Sequence, residues 1–290
     1  MSDWPELKEA LKGLGLGPGD KNPRPVGGGD INAAWKIATN SGSVFLKTGP
    51  EEFFDIFSAE ADGLAELAGA DAVRVPEVLG AGRSGSDSFL ALEWLDLGSP
   101  GRHAERRLGK QLALQHRKVS DSFGWHRDNY IGSTPQQNDR DTDWIRFFRD
   151  RRLLIQLQLA DSNGFGGELL REGARLAQNL EPLFADYRPL PSLLHGDLWS
   201  GNRAFVNGEP VIFDPAVYYG DRETDIAMTR LFGGFGAEFY RAYEEEWPLA
   251  ESSEKRMQLY QLYHVLNHLN LFGGSYLGRA LELVRALDAN

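Results

Sequence analysis

The sequence predicts an α+β chain of two lobes: a β-rich lobe over residues 1–98 and a larger, mainly α-helical lobe over residues 99–290. Three observations predict it. Short apolar runs of β-type residues, bounded by Gly, Ser and Asp, crowd the first ~100 positions. Beyond them, apolar residues recur at helical spacing. Between the two patterns lies a break at Gly98–Gly101, a seam of the kind where ligand clefts form.

In chain order, "SVFLK" (43–47) and "SFLALEWL" (88–95) read as strands. The stretch "FFDIFSAEADGLAELAGA" (53–70) separates them, and its Phe53, Ile56, Phe57, Leu64 and Leu67 recur as one face of a helix. Leu108, Leu112 and Val119 form a second helical stripe; Leu259, Leu262, Tyr263, Leu266 and Leu269 form a third. Between those stripes, "RAFVNGEPVIFDPA" (203–216) is a β patch whose "NGEP" centre reads as a hairpin turn. Neither an internal repeat nor a low-complexity tract interrupts the series.

Composition narrows the function. Of 290 residues 41% are hydrophobic, enough for a proper core. No apolar run approaches the ~18 residues of a transmembrane helix. The first residues, "MSDWPELKEALKGLGLG", lack an apolar signal core, and a cytoplasmic protein is expected. The chain has no cysteine, which excludes disulfides and thiolate metal sites. Lys and Arg number 31 against 42 Asp and Glu, a net charge of −11 that speaks against broad nucleic-acid binding. One anionic ligand in a local pocket stays compatible with that charge. His264 and His268, four apart, lack the third ligand and the glutamate of a zinc-protease helix, so core or surface roles are expected for the histidines.

Chemistry concentrates in "LLHGDLWSGNRAF" (193–205), which sets His195, Asp197, Trp199 and Asn202 in one loop. Asp197, Asn202 five residues on, and Asp214 after the β patch follow the H-x-D-x-x-x-x-N plus Asp order of phosphoryl transfer. A hydroxyl nucleophile needs a carboxylate to take its proton, and phosphates need a divalent ion held by oxygen ligands. Upstream, "PVGGGDINAAWKIAT" (25–39) places Gly27, Gly28 and Gly29 between strands, where bare backbone N–H groups can close over phosphates. Lys47 ends a strand run and Glu60 lies thirteen residues later on the helix, the pairing that aims an ammonium at phosphates. Taken singly, the glycines, Lys47 and Glu60 read more readily as a turn, a surface lysine and a solvated carboxylate. Their shared order points to a kinase. Trp199 stands two residues after the proposed base, where Ser/Thr protein kinases usually carry lysine. Its indole either stacks on a sugar or is scaffold. No long activation segment follows Asp214, so a small-molecule acceptor is expected rather than a protein docked on that segment.

On these residues the chain resembles the fructosamine kinase (ketosamine 3-kinase) family, in the aminoglycoside-phosphotransferase-like branch of the protein-kinase-like fold. "HGDLWSGN" (195–202), "FDPAVYYGDRETDIAM" (213–228) and "GGGDIN" (27–32) carry the resemblance, with support from "FGWHRDNYIGSTPQ" (123–136), "DWIRFFRDRRL" (143–153) and "LYQLYHVLNHLNLFGGSY" (259–276). The resemblance implies ATP-dependent phosphorylation of the 3-hydroxyl of ketosamines, free or on a glycated protein lysine, with deglycation as the consequence. A kinase of an aminoglycoside- or choline-like amine, or a nucleotide-binding regulator without transfer, are the other readings. It further implies Asp197 as base, Asn202 and Asp214 as Mg²⁺ ligands, and Lys47 with Glu60 on the ATP phosphates. Glu93, Trp94 and Leu95 of "LEWL" fall at the adenine-reading hinge. Trp199 and the "HRDN" stretch, with His126 and Asp128, are substrate-side candidates, although a purely structural loop fits "HRDN" as well. Asp221 and Glu223 are expected to cap and charge a helix start, with Asp225 bracing the catalytic loop. Some relatives carry cysteine where this chain has Asp30, so a thiol switch there cannot operate.

Overall fold

Residues 4–19, 23–27, 32–40 and 42–288 are described by the computed structural model. Helix α1 (Trp4–Gly13) opens them and buries Leu7 and Leu11, four apart and so on one face. The N-lobe sheet contains β1 (Arg24–Val26), β2 (Ala33–Thr39) and β3 (Gly42–Pro50), then, after helix α2 (Phe54–Ala68), β4 (Val78–Ser84) and β5 (Asp87–Glu93). The strand order is β1-β2-β3-β5-β4 and every pair is antiparallel. Both faces are covered. Phe89 and Ala91 of β5 join Val44, Leu46 and Ile37 beneath α1, while the alternate Leu90 and Leu92 meet Phe57 and Leu64 of α2. This two-sided burial is why "SFLALE" reads as an unbroken apolar run. Each fully buried side chain of that size stabilises the lobe by about 1.5–3 kcal/mol.

The strands of this sheet end at Glu93, and the expected seam falls in the connection to α3 (Ala104–His116). Within it, Leu97 pairs with Val206 and the Gly98 N–H donates to the Phe205 carbonyl, 2.9 Å away. The hairpin β6 (Asn129–Ile131) and β7 (Thr134–Gln136) follows, then α4 (Trp144–Phe148) and α5 (Leu154–Ala160), joined by a π-helical turn, and α6 (Glu168–Ala177). Strand β8 (Ser192–Leu194) leads to the hairpin β9 (Arg203–Val206) and β10 (Glu209–Ile212). Its Asn207-Gly208 turn has positive φ at both residues, 51° and 81°, as a two-residue hairpin demands. Next come β11 (Tyr218–Gly220), which pairs with β8, and the helices α7 (Glu223–Thr229), α8 (Ala237–Glu246), α9 (Ser253–Phe272) and α10 (Leu277–Asp288).

Leu108 and Leu112 are buried on α3 as expected, but Val119 is not part of that stripe. The helix stops at His116, and Val119 bridges to Ser192 with half its surface exposed. On α9 the stripe is buried together with Tyr260, His264 and Val265, so this helix packs on nearly all sides. Among the described residues, no helix is long and apolar enough to cross a membrane.

Candidate active site

The loop after β8 is shaped by a left-handed glycine. Gly196 has φ +83°, and a Cβ there would lie 2.0 Å from the Ala216 carbonyl oxygen, so only glycine fits. Asp225, at the start of α7, accepts hydrogen bonds from the His195 N–H (2.7 Å) and the Gly196 N–H (2.9 Å). It therefore braces the loop that carries Asp197, as the sequence suggested. Behind it, Arg222 donates to the Tyr243 hydroxyl, which is left to donate its proton to His116 Nδ1 at 2.8 Å. That fixes His116 as the neutral tautomer donating from Nε2 to Asp225 (3.1 Å), in keeping with burial lowering the His116 pKa. His195 in turn donates from Nε2 to the Phe213 carbonyl and accepts the Asp197 N–H at Nδ1. Asp221 accepts the Glu223 N–H at the start of α7, as a cap should; Glu223 instead forms a fully buried pair with Arg256.

These bonds tie the loop of Asp197 to the segment of Asp214. The Asn202 amide nitrogen donates to the Asp197 carbonyl (2.9 Å) and carboxylate (3.2 Å), which leaves the Asn202 Oδ1 for a cation. Asp214 sits at φ +57°, an unusual conformation for a residue with a Cβ and of the sort found at functional sites. Across the cleft, Lys47 Nζ bridges the two lobes: it lies 2.8 and 2.9 Å from the Glu60 oxygens and 2.7 Å from Asp214 Oδ1. Burial alone would lower the Lys47 pKa, but Asp214 and Glu60 outweigh it and raise it. The Asp197 pKa rises as well, but here the neutral form is favoured: burial first, then the nearby Asp214 charge, push its carboxyl up to about 7.

One cavity of about 980 Å³ gathers the predicted residues. Gly27, Lys47, Glu60, Glu93, Trp94, Leu95, Asp197, Trp199, Asn202 and Asp214 all line it. Gly28 and Gly29, with Asp30, lie outside the described residues. At the hinge, the Trp94 side chain is held by its N–H bond to Asp96 (2.7 Å) and by Lys36 over its ring (4.0 Å). His126 and Asp128 are not brought to the cavity. His126 packs on Trp125 and borders a separate depression with Lys118 and Leu193, and Asp128 accepts the Asn138 N–H. Their neighbours Asn129 and Tyr130 line the cavity instead, because the chain turns into β6 at that point.

The sequence reading missed an aromatic wall. Phe232, His268, Phe272 and Tyr276 line the same cavity beyond Trp199. The Trp199 ring lies over Gly201 and meets Phe232 edge-on, and Phe232 stacks obliquely 4.5 Å from His268. His268 donates from Nδ1 to the His264 carbonyl, and burial keeps its ring neutral, so Nε2 is an acceptor. On sequence these aromatics look like core; the exposed Phe232 and the half-exposed Phe272 depart from that.

Among the described residues no cluster of three or more His, Asp or Glu side chains is spaced to hold a metal. Asn202 and Asp214 supply two oxygen donors, and such a sparse set fits Mg²⁺, which takes its remaining ligands from phosphates and water.

Comparison with known proteins bears on the family and the fold. The sequence model described as "Fructosamine kinase" matches residues 12–289. A probable ketoamine kinase of Synechocystis sp. is 42% identical over 264 residues, which cover 90% of this chain and 88% of its own length. A chloroplastic protein-ribulosamine 3-kinase of Arabidopsis thaliana is 44% identical over 264 residues, 89% of this chain and 80% of its own. The crystal structure of a putative fructosamine-3-kinase from Haemophilus somnus superposes with a TM-score of 0.90 at 31% identity, covering 98% of this chain and 97% of that one. An aminoglycoside phosphotransferase solved with ADP and hygromycin B shares the fold, with a TM-score of 0.68 at 17% identity and coverage of 96% and 97%.

Proposed function

The chain belongs to the fructosamine kinase family and is a phosphotransferase, and from that premise we propose that it transfers the γ-phosphate of ATP to the 3-hydroxyl of a ketosamine. The observation that carries the proposal is the Asp197 carboxyl, tuned to about 7 beside Asn202 and Asp214 and opposite the Lys47–Glu60 pair. A general base works best with a pKa near the operating pH.

The chain's own residues divide the work. The backbone after Glu93 leaves the sheet along the cavity wall, where Trp94 and Leu95 read the adenine edge between apolar surfaces of Val26, Ala34 and Leu92. Lys47, kept charged by its two carboxylate neighbours, binds the phosphates, and Glu60 fixes its direction. Asn202 and Asp214 would hold Mg²⁺, which when bound neutralises phosphate charge. Asp197 accepts the proton of the sugar hydroxyl and aligns its oxygen with the γ-phosphorus. Trp199 and Phe232 stack on the apolar side of the sugar, and His268 Nε2 accepts a hydroxyl. An aminoglycoside phosphotransferase of the same fold was solved with ADP, which supports a nucleotide as the phosphate donor. A phosphate on C3 leaves far more readily than a hydroxyl, so the 1,2-enol form of the product expels it, and hydrolysis then frees the amine. On a glycated lysine that sequence is deglycation.

The test is ADP formation across a panel of fructosamines, ribulosamines, a glycated peptide, an aminoglycoside and choline, with the phosphate position read by NMR. Turnover confined to ketosamines and a 3-phosphate product are expected. Turnover of the aminoglycoside or choline alone would transfer the assignment to another small alcohol. Nucleotide binding without transfer to any acceptor would leave a regulator.

A further inference from the structure

The "HRDN" stretch, which does not reach substrate space through His126 or Asp128, has another use. Its Arg127 crosses to the N-lobe. Helix α2, which carries Glu60, has no side-chain cap at its N-terminus. Its hold comes instead from the face turned to the C-lobe, where Asp55, Ser58 and Asp62 share one side at helical spacing. All three converge on Arg127: Nη2 lies 2.6 Å from Asp55, and Nη1 lies 2.6 Å from Asp62 and 3.0 Å from Ser58. The Tyr130 hydroxyl donates to the second Asp55 oxygen at 2.9 Å. Farther along the same helix, a Cβ on Gly63 would lie 3.2 Å from Val217, so α2 runs close to the segment after Asp214. The platform beneath Arg127 is itself fixed, since its carbonyl accepts the Asn138 side chain, which also accepts from the buried Arg152.

We propose that Arg127 is a positioning residue for nucleotide binding, latching α2 to the C-lobe so that Glu60 stays against Lys47. The inference rests on the reading of Lys47 as the phosphate-binding lysine. An exposed single ion pair contributes little, but this guanidinium is three-quarters shielded and joins two carboxylates and a hydroxyl in a geometry a lysine cannot reproduce. With the latch gone, α2 can swing away from the cleft. Lys47 then keeps only Asp214, and its ammonium follows that carboxylate instead of the phosphates. The device also explains how a kinase-like chain without an activation segment keeps its strand lysine and helix glutamate together.

Calorimetric titration of the full chain with Mg²⁺–ADP tests this, using Arg127→Ala, Arg127→Lys, Asp62→Asn, Glu60→Gln and the Arg127→Ala/Glu60→Gln double variant. Arg127→Ala should weaken ADP about tenfold, the scale of one charge-assisted contact, with Arg127→Lys and Asp62→Asn in between. The ketosamine KM should hold. The double variant should bind no more weakly than Glu60→Gln alone, because the effect of Arg127 passes through Glu60. A merely structural role would lower the melting temperature and multiply the two losses, and that result overturns the latch. Unchanged ADP affinity in folded Arg127→Lys and Asp62→Asn overturns it as well, even if Arg127→Ala fails to fold. A wild-type chain that binds no Mg²⁺–ADP would instead sink the kinase reading on which the latch rests.

Discussion

Near pH 7 the Asp197 carboxyl stands close to the midpoint of its titration, because burial and the Asp214 charge both disfavour its anion. In a carboxylate whose pKa is raised on folding, the folded state binds the proton more tightly than the unfolded chain. Its stability contribution is therefore lost as pH climbs from about 4 to about 7 and stays lost above. Asp197→Asn should accordingly abolish most transfer, by ~10²–10⁴-fold, while keeping ADP affinity. It should also raise the melting temperature more at pH 8 than at pH 5, in the manner of strained catalytic groups. Near-normal turnover, or a melting temperature that falls at pH 8, would remove Asp197 from the base position. In the wild type, kcat/KM should rise with pH to a plateau above about 7. Trp199 gives a second test: Trp199→Ala should raise the ketosamine KM several-fold with little change for ATP, since stacking is lost from ground and transition states alike. If the ATP KM and melting temperature move in parallel, the indole is scaffold over Gly201. At this scale, the gathering of Lys47, Glu60, Asp197, Asn202 and Asp214 in one cavity was legible, because their types and order match those that phosphoryl transfer constrains. Phe232 and His268 were not, because an aromatic lining a cavity and an aromatic filling a core carry the same letter.

Elements with a strong period declared themselves: α2, α9, β3, β5 and the β9–β10 hairpin all lie where pattern and turn chemistry put them. The three-residue strands β6, β7, β8 and β11 did not, since three residues cannot show an alternation and exist as strands only through their partners. Helix contact distance is likewise silent in sequence until a glycine marks it. Gly109 of α3 is such a mark. A Cβ there would lie 2.2 Å from the Phe239 carbonyl oxygen and 3.0 Å from the Tyr243 nitrogen, both backbone atoms of α8. Alanine in a helix is otherwise favoured over glycine by about 1 kcal/mol. Here the clash wins, because a backbone carbonyl cannot rotate aside as a side chain can. Gly109→Ala should destabilise the protein by about 1–3 kcal/mol, the cost of overpacking a tight contact. Calorimetry should register that as a drop of several degrees in the melting temperature. A rise instead would mean that α3 and α8 separate freely.

For the molecule as a whole, the site exists only where the two lobes meet: Lys47 and Glu60 come from one, Asp197, Asn202 and Asp214 from the other. The sequence displays their order over 167 positions between Lys47 and Asp214, but the 2.7 Å contact and the Arg127 bridge leave no periodic trace. A ligand that binds across both lobes should therefore stabilise the folded chain by linkage, by about 2.7 kcal/mol at a hundred times its Kd. Mg²⁺–ADP is the probe. It should raise the melting temperature by several degrees, and ADP with a chelator should do much less, because the nucleotide then lacks the ion that Asn202 and Asp214 would share with its phosphates. Asp214→Ala should abolish turnover, and excess Mg²⁺ should not restore it, since among the described residues no other C-lobe carboxylate forms an ion pair with Lys47. In that variant the shifts with and without Mg²⁺ should converge. An Asp214→Ala protein that keeps the full Mg²⁺-dependent shift would place the ion elsewhere and withdraw Asp214 from the metal site.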